Sequence, residues 1–473
     1  MESLPALTAP RVTIPTTPRG AVRGTIAMPV PAEAADPAFV RPILAAYASD
    51  APRLIYADYL DESDAPADRA RADLIRTQCA AARLPADHPR RPDLDAHAAA
   101  LLADHLDAWA EPLRGLVVGT EFRRGLLDSV LVGAADFCRH ADLIFRRAPV
   151  RRVRITDAAA HVERLAGSAH LGLVRELDLC GTDLGNGGVN VLVRSHHVTQ
   201  LRVLDLSFTG VGDSGLAAVA RTPFPHLHSL SVGGGQAVTD RGIEALAAAR
   251  WFGGLRTLDV SDNRVGPAGM RALAAGALHA LKVAANPLGD AGVMALVESP
   301  LFGRLVGRAK AFDLRHVDLG PDGVAALAAA APAAGLVGLD LSANDFGDAG
   351  VRALVAGHFD HLRRLTLARV GLTDRGARLL AQSHVMRGLT HLDLAGNRLT
   401  QAGVDGVWKH RRDFQTVVDT SGNFASPVSP PAPLADDLGR VLRRLAPGAG
   451  GGAGAYSDRP PAPRAPARRD VPR

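Results

Sequence analysis

Between residues 174 and 403 one sequence phrase is written nine times. Its clearest copies are LRTLDVSDNRVGPAG (255–269), LVGLDLSANDFGDAG (336–350) and LTHLDLAGNRLTQAG (389–403). The copies begin at Val174, Leu201, Leu227, Leu255, Leu278, Ala309, Leu336, Leu362 and Leu389, at spacings of 27, 26, 28, 23, 31, 27, 26 and 27 residues. Counted from those starts, apolar residues stand at offsets 0, 3, 5 and 10, as in Leu336, Leu339, Leu341 and Phe346. Offset 8 carries a small polar residue: Asn263, Asn286, Asn344 and Asn397, with Thr182 and Thr209 in the first two copies. A unit this short cannot bury its apolar face alone, so the copies have to stack.

Offsets 3 and 5 alternate as in a strand, which turns both side chains inward and offset 4 toward solvent. The Asn at offset 8 stands where the chain leaves the strand, and its amide suits backbone groups that a buried turn leaves unpaired. Gly-Asp or Thr-Asp follows, at Gly212-Asp213, Thr239-Asp240, Gly289-Asp290, Gly347-Asp348 and Thr373-Asp374. That Asp is expected to cap the helix it begins, for instance AGVRALVAG (349–357). Each unit is strand, turn, helix, and nine parallel strands about 4.8 Å apart give an inner face about 40 Å long.

The pattern L-x-x-L-x-L-x-x-N-x-L closely resembles the ribonuclease-inhibitor-like branch of leucine-rich-repeat proteins, in which a full helix backs every strand. The resemblance covers about half the chain. It implies an α/β horseshoe with parallel inner strands and outer helices, and a partner gripped on the concave side. Two copies depart from it. The third carries Gly233-Gly234-Gly235 and one extra residue, which predicts a bulged turn. The sixth has Ala309 and Val317 where Leu and Asn belong, after a long lead-in (298–316) holding Arg304, Arg308, Lys310, Arg315 and His316.

Residues 37–113 have helical periodicity in four segments, 37–48, 52–63, 67–84 and 93–113. The run from Asp50 to Glu62, DAPRLIYADYLDE, with RADLIRTQC at 71–79, resembles the repeat-companion domain that precedes leucine-rich repeats in large bacterial paralogous families. Tyr59 stands where members usually have Trp, and Asp73-Leu74-Ile75 where they usually have Glu-Phe-Ile. That resemblance implies architecture and no chemistry. Residues 114–173, with a strand near 122–132 and another in VRRVRIT (150–156), read as an N-terminal capping segment or degenerate repeat. The repeats and a C-terminal cap built on Trp408, Phe414 and Val417 fill 174–424.

The ends are different in composition. Residues 1–36, rich in Pro, Ala and Thr, and 425–473, rich in Pro, Ala and Arg with a possible short helix at 434–445, are expected to be disordered. The tail holds eight Arg against four Asp, so of the chain's net +5 it carries +4. The N-terminal 36 residues balance to zero, which leaves +1 for residues 37–423. Three widely spaced cysteines, Cys79, Cys138 and Cys180, argue against a disulfide framework or zinc site and suit a reducing cytoplasm. No apolar run approaches the roughly 20 residues of a membrane span, and GTIAMPV near the start is too short for a secretory core. A soluble, cytoplasmic protein is expected.

The informative surface is a pair of columns on the strand face. Offset 4 holds Asp178, Asp205, Ser231, Asp259, Lys282, Asp313, Asp340, Thr366 and Asp393. Offset 1 holds Arg175, Arg202, His228, Arg256, His279, Lys310, Val337, Arg363 and Thr390. One reading is a charge-patterned surface that selects a protein partner through Arg202, Asp205, Arg256, Asp259, Lys282, Asp313, Asp340, Arg363 and Asp393. The other is that the two columns merely satisfy each other. Elsewhere, Asp58, Asp61, Glu62 and Asp64 read as a solvated helix face, and His196-His197 and His226-x-His228 lack a third ligand at metal spacing. No nucleophile motif or phosphate loop stands out, so neither enzyme activity nor a cofactor or metal is expected. The tail arginines lack interleaved aromatics, apart from Tyr456, and allow weak nucleic-acid contact at most. Such a nucleic-acid role, or a structural paralogue without a dedicated partner, stands as the alternative to a protein-interaction scaffold.

Overall fold

The computed structural model describes residues 37–85, 88–235, 237–330, 335–410 and 417–423. The two terminal segments, the expected helix at 434–445 and Phe414 of the expected cap lie outside them.

Four helices come first: α1 (Pro37–Ala45), α2 (Ala51–Asp61), α3 (Pro66–Ala82) and α4 (Arg91–Ala110). Pro52, Pro66 and Pro92 stand in the first turns of α2, α3 and α4, where a missing N–H costs nothing. Next comes an antiparallel hairpin, β1 (Gly119–Arg123) and β2 (Leu126–Gly133). Its two-residue turn puts Arg124 at φ 48° and Gly125 at φ 75°, the left-handed pair that matches strand twist. Helix α5 (Ala134–Arg147) and β3 (Arg152–Thr156) follow, and β2 and β3 pair in parallel.

The motif residues of the helical region hold it to this hairpin. The Arg71 guanidinium, 6% exposed, donates from Nε to the Gly125 carbonyl at 2.6 Å and lies over the rings of Trp109 and Phe122. Gln78 Oε1 accepts from Gly125 N–H at 2.7 Å, and the Tyr47 hydroxyl donates to Asp128. Asp50 pairs with Arg83 at 2.8 Å and Arg124 at 3.3 Å, while Arg53 donates to the carbonyls of Tyr47 and Ser49.

From there each of the nine repeats contributes one three-residue strand, β4 (Glu176–Asp178), β5 (Val203–Asp205), β6 (Ser229–Ser231), β7 (Thr257–Asp259), β8 (Ala280–Lys282), β9 (Ala311–Asp313), β10 (Gly338–Asp340), β11 (Arg364–Thr366) and β12 (His391–Asp393), and β13 (Val417–Asp419) follows them. All pair in parallel with their neighbours except at one place. The ladder runs β1 to β8, stops, and resumes from β9 to β13. Helices such as Asp213–Arg221 and Gly347–Ala356 return the chain on the outer side. The core is the set of inward positions. Offset 5 is fully buried in every copy, from Leu179 through Val232 and Val283 to Leu394.

Offset 8 forms a polar spine inside this core. Asn344, 1% exposed, donates to the carbonyls of Leu314 and Leu341 at 2.8 and 2.9 Å. It accepts from Val317 N–H at 2.9 Å and Leu319 N–H at 3.0 Å. Asn263, Asn286 and Asn397 repeat the arrangement, and Thr182 and Thr209 each donate to a strand carbonyl at 2.6 Å.

Two expectations need correction. The Asp that begins each helix does not cap its own helix. Asp213 Oδ1 accepts from Thr239 N–H at 2.7 Å and Gly242 N–H at 3.1 Å, and Thr239 Oγ1 donates to Oδ2 at 2.7 Å. It therefore caps the helix of the next repeat. Asp348 does the same for Thr373, Asp374 for Thr400, and Asn186 for Gly212 and Gly215. The physical reason is the stack: at the first helical position the side chain points sideways, into the orphan N–H groups of its neighbour. Second, Val417 does not cover the last layer. It stands opposite His391 on β13 and is 55% exposed, because its register puts it at an outward position.

Candidate functional site

The outward positions of the parallel strands make one surface, and its chemistry follows from how each side chain is held. Registers align Asp178, Asp205, Ser231, Asp259 and Lys282 across the first sheet, and Asp313, Asp340, Thr366, Asp393 and Asp419 across the second. Every Asp of this column makes the same local bond. Its Oδ1 accepts the N–H two residues on, at 2.9 Å for Asp205, 3.0 Å for Asp259, 3.1 Å for Asp313, 3.0 Å for Asp340 and 2.8 Å for Asp393. The carboxylate thus closes an Asx turn where the strand ends. One oxygen is structural.

The other oxygen varies. Lys282 reaches Asp259 at 3.1 Å along the rung and Arg315 reaches Asp313 at 3.0 Å from two residues on in its own repeat, neither from offset 1. Among the described residues no cation lies within ion-pair distance of Asp205, Asp340 or Asp393. Burial raises the Asp393 carboxyl above the ordinary carboxylate range, and Asp419 and Asp340 add to it. Burial likewise raises Asp313, with Asp340 adding and the Arg315 N–H and guanidinium opposing.

The basic column does not neutralise the acidic one, contrary to the self-satisfying alternative. It forms a separate rim where the strands start. Each backbone N–H there donates to the carbonyl of the same position one rung back: Arg175 to Arg151, Arg202 to Arg175, His228 to Arg202, Arg256 to His228, and His279 to Arg256, at 2.7–2.9 Å. Arg363 is turned to structural use, donating to the carbonyls of Leu362 and Gly388. The nine residues read as a partner surface thus all stand on this face. Arg202, Asp205, Arg256, Asp259 and Lys282 ride on the first sheet, and Asp313, Asp340, Arg363 and Asp393 on the second.

The gap between the sheets breaks the regularity of this face. The rung that elsewhere joins the N–H at offset 5 to the next strand, as Leu314 to Asp340, is missing between Val283 and Asp313 among the described residues. Bonds just beyond the strands, Ala285 N–H to Arg315 and Gly289 N–H to Val317, are intact. The two repeats are therefore splayed at the strand side and closed at the turn side. The long lead-in folds as the helix Pro300–Ala309, whose Leu305 reaches the gap. A cleft of about 570 Å³ opens there, lined among others by Leu281, Lys282, Leu305, Phe312, Asp313 and Arg315. Leu281 and Phe312 are 9% and 7% exposed, whereas the corresponding Leu339 is 3%.

The repeat geometry is matched by sequence: residues 199–220, 225–247, 255–274, 336–355 and 387–407 fit the profile of the family described as Leucine Rich repeat. The matched repeats fold as a leucine-rich-repeat solenoid. No curated protein matches this chain. Similar solved structures include Rad7 in its yeast complex with Elc1, at 14% identity and TM-score 0.39, covering 78% of this chain and 91% of that one. An internalin, InlF, of Listeria monocytogenes is 17% identical, with TM-score 0.39 and coverage of 71% and 92%. A mouse RP105/MD-1 complex is 14% identical, with TM-score 0.36 and coverage of 68% and 58%.

Sequence reading missed three features of this face. Arg151 heads the basic rim, signalled only by the degenerate VRRVRIT run. Phe208, 60% exposed, is held at φ 55° and lies against Gly234, where a Cβ would stand 2.2 Å from its ring. Third, offset 7 is left-handed in every copy, including non-glycine residues such as Asp262, Ala285, Ala343 and Arg369. Glycine marks it only at Gly181, Gly234 and Gly396. Away from this face, Arg76 pairs with Asp58 at 2.7 Å and Asp61 at 2.6 Å. Among the described residues no His, Cys, Asp and Glu group is suited to a metal, and no helix is long and apolar enough to cross a membrane.

Proposed function

We propose that this protein is an interaction scaffold that grips a protein partner on the inner, strand-lined face of its ribonuclease-inhibitor-like horseshoe, in the cytoplasm, with residues 37–113 acting as a repeat-companion domain. The observation that carries the reading is the second oxygen of the acidic column. Asp205, Asp340 and Asp393, half-buried, spend one oxygen on their own turn, and no cation lies within ion-pair distance of them among the described residues. Charge held rigidly and left uncompensated suits a complementary partner. Arg202, Asp205, Arg256, Asp259, Lys282, Asp313, Asp340, Arg363 and Asp393 are the proposed contact residues.

Asp340→Asn with Asp393→Asn is the informative pair, because Asn keeps the Oδ1 acceptor and removes only the charge. In affinity capture from native lysate, the wild-type chain retains a stoichiometric protein and this variant retains much less of it, with urea midpoints unchanged. Equal capture by both chains would refute the inner-face assignment. Nucleic acid retained only at low salt would shift the reading to the arginines of 425–473.

A further inference from the structure

We propose that the basic rim of the first sheet, Arg175, Arg202, His228, Arg256 and His279 with Arg308 beyond them, binds an extended acidic segment of the protein partner. The proposal rests on the scaffold reading and assigns one part of the partner's chemistry.

The rim is built by the ladder. Backbone bonds stack the five residues from Arg175 to His279 one above another, at the strand spacing of about 4.8 Å. They span about 20 Å, the length of roughly six extended residues. In the second sheet the same position reads Lys310, Val337, Arg363 and Thr390, so the charge is concentrated on one half of the solenoid.

The rim's guanidiniums have no carboxylate beside them to offset their charge: among the described residues none lies within ion-pair distance of Arg175, Arg202, Arg256 or Arg308. The nearby Glu176 is taken by Arg152 at 3.0 Å. Burial pulls Arg175 below the usual guanidinium range and Arg202 pulls it further. His279 is lowered by burial and then by Arg308, Arg256 and Arg304, which brings the helix Pro300–Ala309 into the same field. The Arg256 guanidinium donates to the neutral His279 ring at 3.4 Å and keeps its own positive charge. An anionic ligand would meet that uncompensated charge.

The choice between an acidic peptide and a nucleic acid follows from what stands between the cations. A stacking platform needs aromatic rings interleaved with the charges. From Arg175 to His279 the rim offers two histidines and no Phe, Tyr or Trp, and the Tyr47 ring lies under Arg151, one rung before them. Arg175 donates to the carbonyls of Gly172 and Val174, and the guanidiniums of Arg202 and Arg256, which donate to no carbonyl or carboxylate among the described residues, suit carboxylates.

The test uses the full chain, a fluorescein-labelled peptide of alternating Glu and Ser, and an oligouridylate of the same length, read by fluorescence anisotropy at moderate salt. Arg202→Glu with Arg256→Glu reverses the rim. Arg241→Glu with Arg375→Glu, on exposed positions of outer helices, makes the same change in net charge. The rim variant is expected to weaken peptide binding at least about ten-fold more than the outer variant. Equal loss in the two variants would overturn the proposal, because attraction would then follow net charge alone. So would absence of peptide binding by the wild type, or tighter oligouridylate binding that the rim variant abolishes. Neither pair touches Asp340 or Asp393, so failure here and failure of the inner-face reading are told apart.

Discussion

Replacing Asp213 by Ala should destabilise the solenoid by about 3 kcal/mol, more than any other surface-reaching carboxylate in its vicinity. The carboxylate belongs to one repeat and serves the next. It accepts Thr239 N–H at 2.7 Å and Gly242 N–H at 3.1 Å, and takes the Thr239 hydroxyl on its other oxygen. A hydrogen bond to a charged group is worth about 1.5–3 kcal/mol, and loss of a helix cap about 1 kcal/mol. Gly242 is buried, so its N–H finds no water when the carboxylate leaves. Water replaces part of the loss at half-buried Thr239, which brings the sum to about 3 kcal/mol. Asp213→Asn keeps an acceptor and a donor in place and should cost only about 1 kcal/mol. Urea titrations followed by circular dichroism give both values. A cost for Ala under about 1 kcal/mol, or one equal to that of Asn, would refute the inter-repeat cap.

Other parts of the structure make separate demands. Asn344→Ala strands two buried carbonyls and two buried N–H groups and should cost about 3–5 kcal/mol in the same titration, whereas an exposed-turn role would predict under about 1 kcal/mol. Ala343→Gly should raise stability by about 0.5–1 kcal/mol, since φ 55° strains a Cβ by more than glycine's extra chain entropy costs; a fall would contradict the left-handed assignment. His228 is lowered from 6.5 by burial first, with Glu176 opposing and Arg202 and Arg256 adding, so the folded chain binds fewer protons than the unfolded one below pH 6.5. Stability should therefore drop as pH falls through that value, and His228→Gln should flatten the drop. An unchanged pH profile in the variant would count against it.

The repeat architecture was legible because its physics is periodic. Inward apolar residues at offsets 3 and 5 in nine copies, with Asn at offset 8 in four of them, have one interpretation, and the strands and amide spine fall there. The four helical segments were equally plain. What escaped was every interaction between repeats that sequence spacing does not mark. Asp213 looks like a cap for the helix it begins, and only the stack shows its reach into Thr239 and Gly242, 26 and 29 residues on. The left-handed turn is invisible at Ala285 and Ala343, because tertiary bonds hold a conformation that the residue itself disfavours. The uneven spacing of the fifth and sixth copies did announce an irregularity. That it would open the ladder between β8 and β9 and seat a helix at the gap depended on packing of Leu305 and Phe312. On the inner face the identity of the columns could be read, but their pairing could not. Side chains at offset 1 and offset 4 are held by different backbone groups, and the sequence carries no mark of which carbonyl or N–H each one meets.

The most direct test of the docking face is carbodiimide labelling of carboxylates, read by mass spectrometry, on the free chain and on the complex it captures. Asp205, Asp340 and Asp393 should react in the free chain and be protected in the complex, while Glu244 and Asp318, exposed and off the strands, stay reactive in both. Protection of Glu244 with continued labelling of Asp340 and Asp393 would place the partner elsewhere and contradict the account.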